Sequence, residues 1–555
     1  MSDTMMRRTI IVLLIACVGA SDARGRQTGP QARFARARQN GRDFDRGAAA
    51  MRKVLKAWLA EADRGTFLIP DRLSGGPGWR PGERIYTPHN SGADLYSYLI
   101  LTASLTDPAI YNRRMIEMLR NEIRYTTTTD AVPGSLDLIT RRRGEPRVFD
   151  AAEYAKDGLV AVTELLGRTP WYYRMVDMTV DMMHRAPVIT RFGNIPGDDA
   201  ETNGDALQVL VRLAGMTGDK RFLEWAERIG DAYVDEVLPG NNGLPDHKWD
   251  FEKHTGTGRL RLRDHGNEII VGLALLFAIE QYHQTERARR YRPVLANMFD
   301  RILESANADG MFHNIIDTRT LKPRRVALVD NWGYIYGAAY AFYQSTGETK
   351  YRDAVIGALK TLPKYRDHNW QRGQADGLAD SIESAFYLVA REPVPEALEW
   401  IESQVRRMTA MQKPSGFVDR WYNDGNFNRT LLLYILYKSQ GCRPDRWVKG
   451  LRVGAVREGD RLYLNVAAVG RATRLRGKIK FDFARHRRVM GFDKNYVRLN
   501  EFPEWYTVDE NTLYRVSAAS KRSERILLGS ELIAGIALRP GDWVIEPVGR
   551  SQLGR

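Results

Sequence analysis

Apolar residues recur at helical spacing along most of the chain, and one phrase punctuates them at intervals of about 50 to 70 residues. It reads Thr106-Asp107-Pro108-Ala109-Ile110-Tyr111, then Gly167-Arg168-Thr169-Pro170-Trp171-Tyr172. It returns as Thr217-Gly218-Asp219-Lys220-Arg221-Phe222 and Thr346-Gly347-Glu348-Thr349-Lys350-Tyr351, with a looser copy from Thr285 to Tyr291. A small or polar turn ends one helix, an acidic residue or Pro opens the next, and an aromatic anchors the new apolar face. The interval fits one helical hairpin plus a long connection. A hairpin of this size cannot bury its own apolar face, so the copies must pack around a common centre. Roughly fourteen helices fit between Arg46 and Gln440, enough for six or seven hairpins.

The period changes near Trp447. Leu451–Val456 and Leu462–Val466 alternate around Glu458-Gly459-Asp460, which predicts a β-hairpin. Strand-like runs follow at Lys478–Phe483, Leu513–Val516, Arg525–Leu528 and Trp543–Pro547. The expected organisation is therefore a toroid over 46–442 and a small antiparallel β-domain over 443–555 that caps or buttresses it. Before them, Gln27 to about Gly47 is rich in Arg, Gly, Gln and Ala, so 21–45 is expected to be a flexible tether.

The first residues predict export. Arg7 and Arg8 precede a short apolar stretch, Thr9–Val18, and then the small residues Gly19, Ala20 and Ser21. Two processing routes are open. Val18-Gly19-Ala20 suits an ordinary signal peptide over 1–20. Leu14-Ile15-Ala16-Cys17 resembles a bacterial lipobox, with a signal over 1–16 and a lipid on Cys17. The expected location is periplasmic, lipid-anchored at the outer membrane, or extracellular, with membrane contact only through that lipid.

The long run of hairpins followed by a β-domain resembles the six-hairpin (α/α) toroid of glycosidases, polysaccharide lyases and sugar epimerases. The resemblance is architectural, spans about four hundred residues, and singles out no one family. It implies a mainly α fold, an (α/α)6-type toroid, with an active site where the long connections gather. Polar residues opening the helices after those connections include His89, Asn90 and Asp94; Asp150 and Glu153; Asp199, Glu201, Asn203 and Asp205; and Asp264, His265, Asn267 and Glu268. Asp330, Asn331, Trp332 and Tyr334 follow, then Asp376, Asp380 and Glu383, then Asp424, Asn426, Asn428 and Arg429. N-capping explains Asp150, Asp198, Asp330 and Asp424. Asn203, Glu268, Tyr334 and Glu383 lie at or past the first turn of otherwise apolar helices, and need a partner or a solvated cavity.

Charge narrows the substrate. A formal net charge of +15 favours an anionic partner. Export and the dispersal of the basic residues argue against nucleic acid, leaving an acidic poly- or oligosaccharide. Cys17 and Cys442 are the only cysteines, so neither a disulfide framework nor a cysteine-based zinc site is expected, and no cofactor or metal is assigned.

The preferred reading is a polysaccharide lyase acting on a uronate-containing glycan. β-Elimination needs the substrate carboxylate neutralised, a base at C5 and an acid at the leaving oxygen. Asn203, His265 and Tyr334 (or Tyr422) match what lyases of this architecture use. The alternative is a glycoside hydrolase using two carboxyls among Asp199, Asp205, Glu268, Asp380 and Glu383. A non-catalytic glycan-binding lipoprotein is a third reading. Arg263, Asp330, Trp332, Asp199 and the loop residues Arg420, Trp421 and Tyr422 are the expected substrate contacts, with the aromatics as stacking platforms. The stretch Arg263–Glu268 also resembles the Gly-His-x-x-Glu helix start of sugar 2-epimerases. Here the His precedes the Gly, so no epimerase activity is inferred.

Overall fold

A computed structural model describes residues 29–74, 80–263, 266–474, 477–520 and 523–549. The export signal, Cys17 and His265 lie outside the described residues.

Among the described residues, seven helical segments form a closed inner ring and seven surround them. The outer set is α1 (Pro30–Glu61), α3 (Ile116–Thr126), α6 (Pro170–His184), α8 (Lys220–Ala232), α10 (Glu286–Glu304), α12 (Thr349–Thr361) and α14 (Pro395–Ala410). The inner set comprises α2 (Ser97–Thr106), the pair α4 (Val148–Glu153) and α5 (Val160–Leu166), then α7 (Ala200–Thr217) and α9 (Asn267–Tyr282). It closes with α11 (Trp332–Thr346), α13 (Ala375–Val389) and α15 (Asp424–Ser439), the last packing back on α2. The fold is thus an (α/α) toroid, of seven hairpins rather than six. Sequence dictates which ring a helix joins. Residues of α9 are apolar nearly all round and almost all buried, whereas α10 buries only the stripe Ala288, Tyr291, Leu295, Met298, Phe299 and Ile302.

The repeated phrase forms the tight turn from each inner helix to the next outer one. Gly218 and Gly347 take left-handed φ values of 71° and 79° as they end α7 and α11. Asp219 and Thr285 then cap α8 and α10 through the amides of Arg221 (3.0 Å) and Ala288 (3.0 Å). All of these turns lie at one pole. The long connections, several carrying short β-hairpins, lie at the other.

The described part of the expected tether is helical: residues 30–61 form α1, the first outer helix. Its Arg, Gln and Ala residues are good helix formers. Its small residues Ala37, Gly41, Gly47 and Ala48 are buried where the helix meets α15 and the C-terminal sheet. That sheet contains β1 (Leu451–Glu458), β2 (Arg461–Ala468), β3 (Leu513–Ala518), β4 (Glu524–Leu528) and β5 (Gly541–Pro547) in the antiparallel order β1-β2-β5-β3-β4. One continuous apolar core joins toroid and sheet. Between the strands, residues 481–508 run across the short-turn pole and close the toroid from below. No described helix is long and apolar enough to cross a membrane.

Candidate active site

The inner ring opens toward the long connections in a cavity of about 330 Å³. Seven carboxyl side chains line it: Asp94, Glu153, Asp157, Glu201, Glu268, Asp376 and Asp380. Among the described lining residues, Lys156, Arg263 and Arg429 oppose them as fixed cations, beside His89. Asn90, Asn426, Phe149, Tyr334 and Tyr422 complete the wall.

Two of the inner segments are wound wider than an α-helix. Pro88–Tyr96, leading into α2, and Tyr154–Leu159, between α4 and α5, are π-helical and pack against each other. A π-turn inserts an extra residue and re-aims the side chains after it, and such turns gather at functional sites. Here they carry Asp94 on one segment and Lys156-Asp157 on the other, with both members of the latter pair at the cavity. The Thr87 amide and hydroxyl and the Asn90 amide bond to the Asp71 carboxylate at 2.9, 2.8 and 3.0 Å, fixing the start of the first π-segment.

The buried ammonium of Lys156 organises the first charge cluster. It lies 2.6 Å from Asp157 Oδ1, 2.9 Å from Glu268 Oε1 and 3.4 Å from Asp205 Oδ1. Glu268 is set by backbone contact between α7 and α9. A Cβ on Gly204 would sit 2.2 Å from the Ile269 amide, so only glycine permits that approach. Glu268 Oε2 also accepts from Gln208 Nε2 at 2.8 Å.

One cation cannot keep this many buried carboxyls ionised. Burial and the carboxylates Asp205 and Asp157 push Glu153 well above its ordinary range, despite Lys156. Burial likewise raises Glu268 well above that range and Asp205 to about 7. Asp157 goes the other way: burial opposes its charge, but Lys156 and hydrogen bonds from Glu153, Lys156 and Asn500 outweigh burial and hold it low. Across the cavity, burial together with Asp157 and Asp376 pushes Asp94 well above the carboxylate range. Two carboxyls at one cavity are therefore driven in opposite directions, Asp94 toward keeping its proton and Asp157 toward losing it.

Arg429 organises the second cluster. It pairs with Asp380 and with Glu383 Oε2 at 2.7 Å, and the Tyr334 hydroxyl donates to the same Glu383 oxygen at 2.7 Å. Tyr387 donates to the other oxygen of Glu383. Burial still raises Glu383 against these partners.

The C-terminal segment reaches this site from beneath. Asn500, left-handed at φ 57°, donates from Nδ2 to Asp157 Oδ1 at 2.9 Å and to the Lys156 carbonyl at 3.0 Å. Its main-chain amide donates to the Tyr387 hydroxyl at 3.0 Å, so one side chain and its backbone touch both clusters.

The residues put forward from sequence divide. Glu268, Tyr334, Asp380, Arg263 and Tyr422 line the cavity, and Glu383 lies directly beneath through Tyr334 and Arg429. Six others are engaged elsewhere. Asn203 is wholly buried, accepting from the Gly197 amide at 3.1 Å and donating to its carbonyl at 2.7 Å, so it pins a loop. Asp199 is the N-cap of α7, accepting from the Thr202 amide at 2.8 Å. Trp332 offers no stacking face, being fully buried with its indole N–H on the Ser381 hydroxyl at 3.0 Å. Trp421 donates to the Ser74 carbonyl at 3.2 Å and lies under Arg72, while the Arg420 guanidinium lies over Phe417. Asp330, 3.9 Å from Arg263, belongs to a neighbouring groove. Lys156 and Asp157 were missed. The available signal was a Lys-Asp pair followed by Gly158 deep in an otherwise small and apolar helix.

No family model matches the chain, and no curated protein does. Solved structures resemble it weakly. An inactive α-1,6-mannanase variant of Salegentibacter sp. HEL1_6 with bound α-1,6-mannotriose is 14% identical, over 57% of this chain and 95% of that one, with a TM-score of 0.42. A family 76 mannosidase from Bacteroides thetaiotaomicron VPI-5482 is 13% identical over 71% and 98%, TM-score 0.39. An unsaturated glucuronyl hydrolase specific for heparin is 12% identical over 70% and 97%, TM-score 0.40. At such identities and scores they assign no activity to this chain.

Proposed function

We propose that this protein is a carbohydrate-active enzyme that hydrolyses a glycosidic bond. Asp94 is its general acid and Asp157 its ionised carboxylate. The observation that carries the reading is the placement of these two carboxyls on π-turns that pack together at one cavity, where their surroundings push their proton affinities in opposite directions. Carboxyls whose environments drive their proton affinities apart are the working pair of glycoside hydrolysis. Asp94 gives its proton to the leaving oxygen as the C–O bond breaks. Asp157 opposes the positive charge that develops on the sugar ring, and water supplies the hydroxyl that ends on the anomeric carbon. The second proton of that water restores Asp94. Asn90, Asn426 and Tyr422 supply hydrogen-bonding groups suited to sugar hydroxyls, in a space the size of a small-ligand site.

Elimination is the less supported reaction. It requires a group that neutralises the uronate carboxylate beside the base. Asn203, put forward to neutralise that carboxylate, spends its amide on Gly197.

Incubation with a panel of neutral and acidic glycans should give new reducing ends without the ultraviolet absorbance of an unsaturated uronate. Absorbing products would overturn the hydrolytic reading. Asp94→Asn should lower kcat by about 10²- to 10⁴-fold. It should also abolish the alkaline fall in rate that marks loss of the Asp94 proton. Near-normal turnover in both Asp94→Asn and Asp157→Asn would move the chemistry to other carboxyls.

A further inference from the structure

A second space of about 450 Å³ adjoins the acidic cavity, and Arg263 lines both. Its charge is reversed. Among the described residues that line it, Arg263, Arg325 and Arg372 face one acid, Asp330, whose carboxylate lies 3.9 Å from Arg263. Asn314, Gln371 and Gln374 add amides to the wall.

The loop supplying Arg372 is strained and anchored. Gln371 and Arg372 both take left-handed backbone conformations, with φ of 43° and 61°. Two consecutive non-glycine residues in that region cost free energy and persist only where the surroundings hold them. Trp370 is fully buried on one side of them. Arg407 holds the residues just before Trp370, donating to the His368 carbonyl at 2.9 Å and to Asn369 Oδ1 at 2.6 Å. No glycine relieves the turn until Gly373. The loop is thus held in a shape that local preference opposes, and it presents a guanidinium at the groove. Arg325 comes from an exposed strand, Pro323–Leu328, on a different connection.

We propose that this groove is a subsite for an anionic substituent, a carboxylate or a sulfate, on the sugar next to the one held in the acidic cavity. The assignment rests on the hydrolytic reading for the position of the neighbouring sugar, but not for the charge preference. Planar guanidinium groups match the paired oxygens of both anions, and three of them beside one carboxylate leave a net positive site. The division of charge reconciles the basic chain with its acidic catalytic cavity. A neutral ring sits among the carboxyls, and the anionic group is read one residue away.

Binding without turnover isolates the groove from the chemistry. Oligosaccharides of a uronate-containing glycan, the carboxyl-reduced form, and a sulfated form of the latter are titrated calorimetrically onto the full-length Asp94→Asn protein. The expected result is tighter binding of one or both anionic forms than of the reduced one. Adding Arg325→Ala and Arg372→Ala should shrink that preference about tenfold or more, since a hydrogen bond to a charged group contributes on that scale. The carboxylated and sulfated arms identify which anion the groove takes. Equal binding of all three forms, no binding of any, or a preference untouched by the arginine substitutions overturns the proposal. Failure of hydrolysis with this charge preference intact would instead remove the catalytic reading and leave the subsite.

Discussion

The two poles of the toroid bury charge to the same depth and do opposite things with it. At the open pole, one ammonium, Lys156, serves Asp157, Asp205 and Glu268, and the proton affinities of Glu153, Glu268 and Asp205 are raised. At the closed pole guanidinium groups match the carboxylates: Arg212, Arg391, Arg485 and Arg498 stand among Glu164, Asp482, Glu501 and Glu504. Glu164 is wholly buried yet held below its ordinary range, because Arg498 and then Arg212 and Arg485 outweigh burial. Arg498 reaches its two oxygens at 2.6 and 2.9 Å, and Arg212 approaches at 3.3 Å. Glu504 is brought down to about 2, where His486, Arg485 and Arg498 overcome burial. Burial alone therefore does not set protonation; the local ratio of cations to carboxyls does. A site meant to move protons is short of cations, and one meant only to hold two parts of a fold together is saturated with them.

Breaking the saturated pole should have the largest effect. Glu164→Ala leaves Arg212 and Arg498 buried without their carboxylate, and should cost about 3–5 kcal/mol of stability in urea unfolding. The partners come from a toroid helix and the C-terminal segment, so the loss should also loosen residues 481–508 toward proteolysis. A cost below about 1 kcal/mol would show that the closed pole does not depend on this network. Lys156→Met attacks the open pole and should cost less, about 1–3 kcal/mol, because the carboxyls left behind can take up protons instead of staying charged. Its signature is in the pH–rate profile. Without the ammonium Asp157 binds its proton more tightly, so the acidic limb moves to higher pH as kcat falls. An unmoved limb would separate Lys156 from Asp157 function.

The same comparison explains what sequence could reveal. Helical hairpins were legible because the Thr-Gly-Asp phrases are local, and the β-hairpin at Leu451–Val466 because alternation and its turn are local as well. Helix α1 was hidden because its buried face is made of Ala and Gly between arginines, a composition shared with linkers. Asn203 was misread for a related reason: a polar group in an apolar helix needs a partner, and a loop carbonyl six residues earlier already supplied it. Lys156 and Asp157 escaped because two adjacent residues do not share a face at α-helical periodicity. Only a π-turn brings both to the cavity. The closed pole was invisible because its central bond joins Glu164 with Arg498, 334 positions apart.

The gentlest perturbation tests the sign of the comparison. Asp205 holds its proton up to about pH 7 in the folded protein, against an ordinary value of 3.8. Between those values the unfolded chain has released the proton and the native state has not. Stability from this group therefore falls as pH rises through the window and is level above it. Glu504, lowered from 4.5 to about 2, contributes in the opposite sense: its stabilisation is complete above 4.5 and lost as pH falls toward 2. Asp205→Asn deletes the first contribution and leaves the second. The variant should match the wild type near pH 4 and exceed it by roughly 1–3 kcal/mol at pH 8, with an unchanged acid limb. Denaturant midpoints measured across that range decide the matter. If the two curves run parallel, the open pole ionises as freely as the surface, and the contrast between the poles is lost.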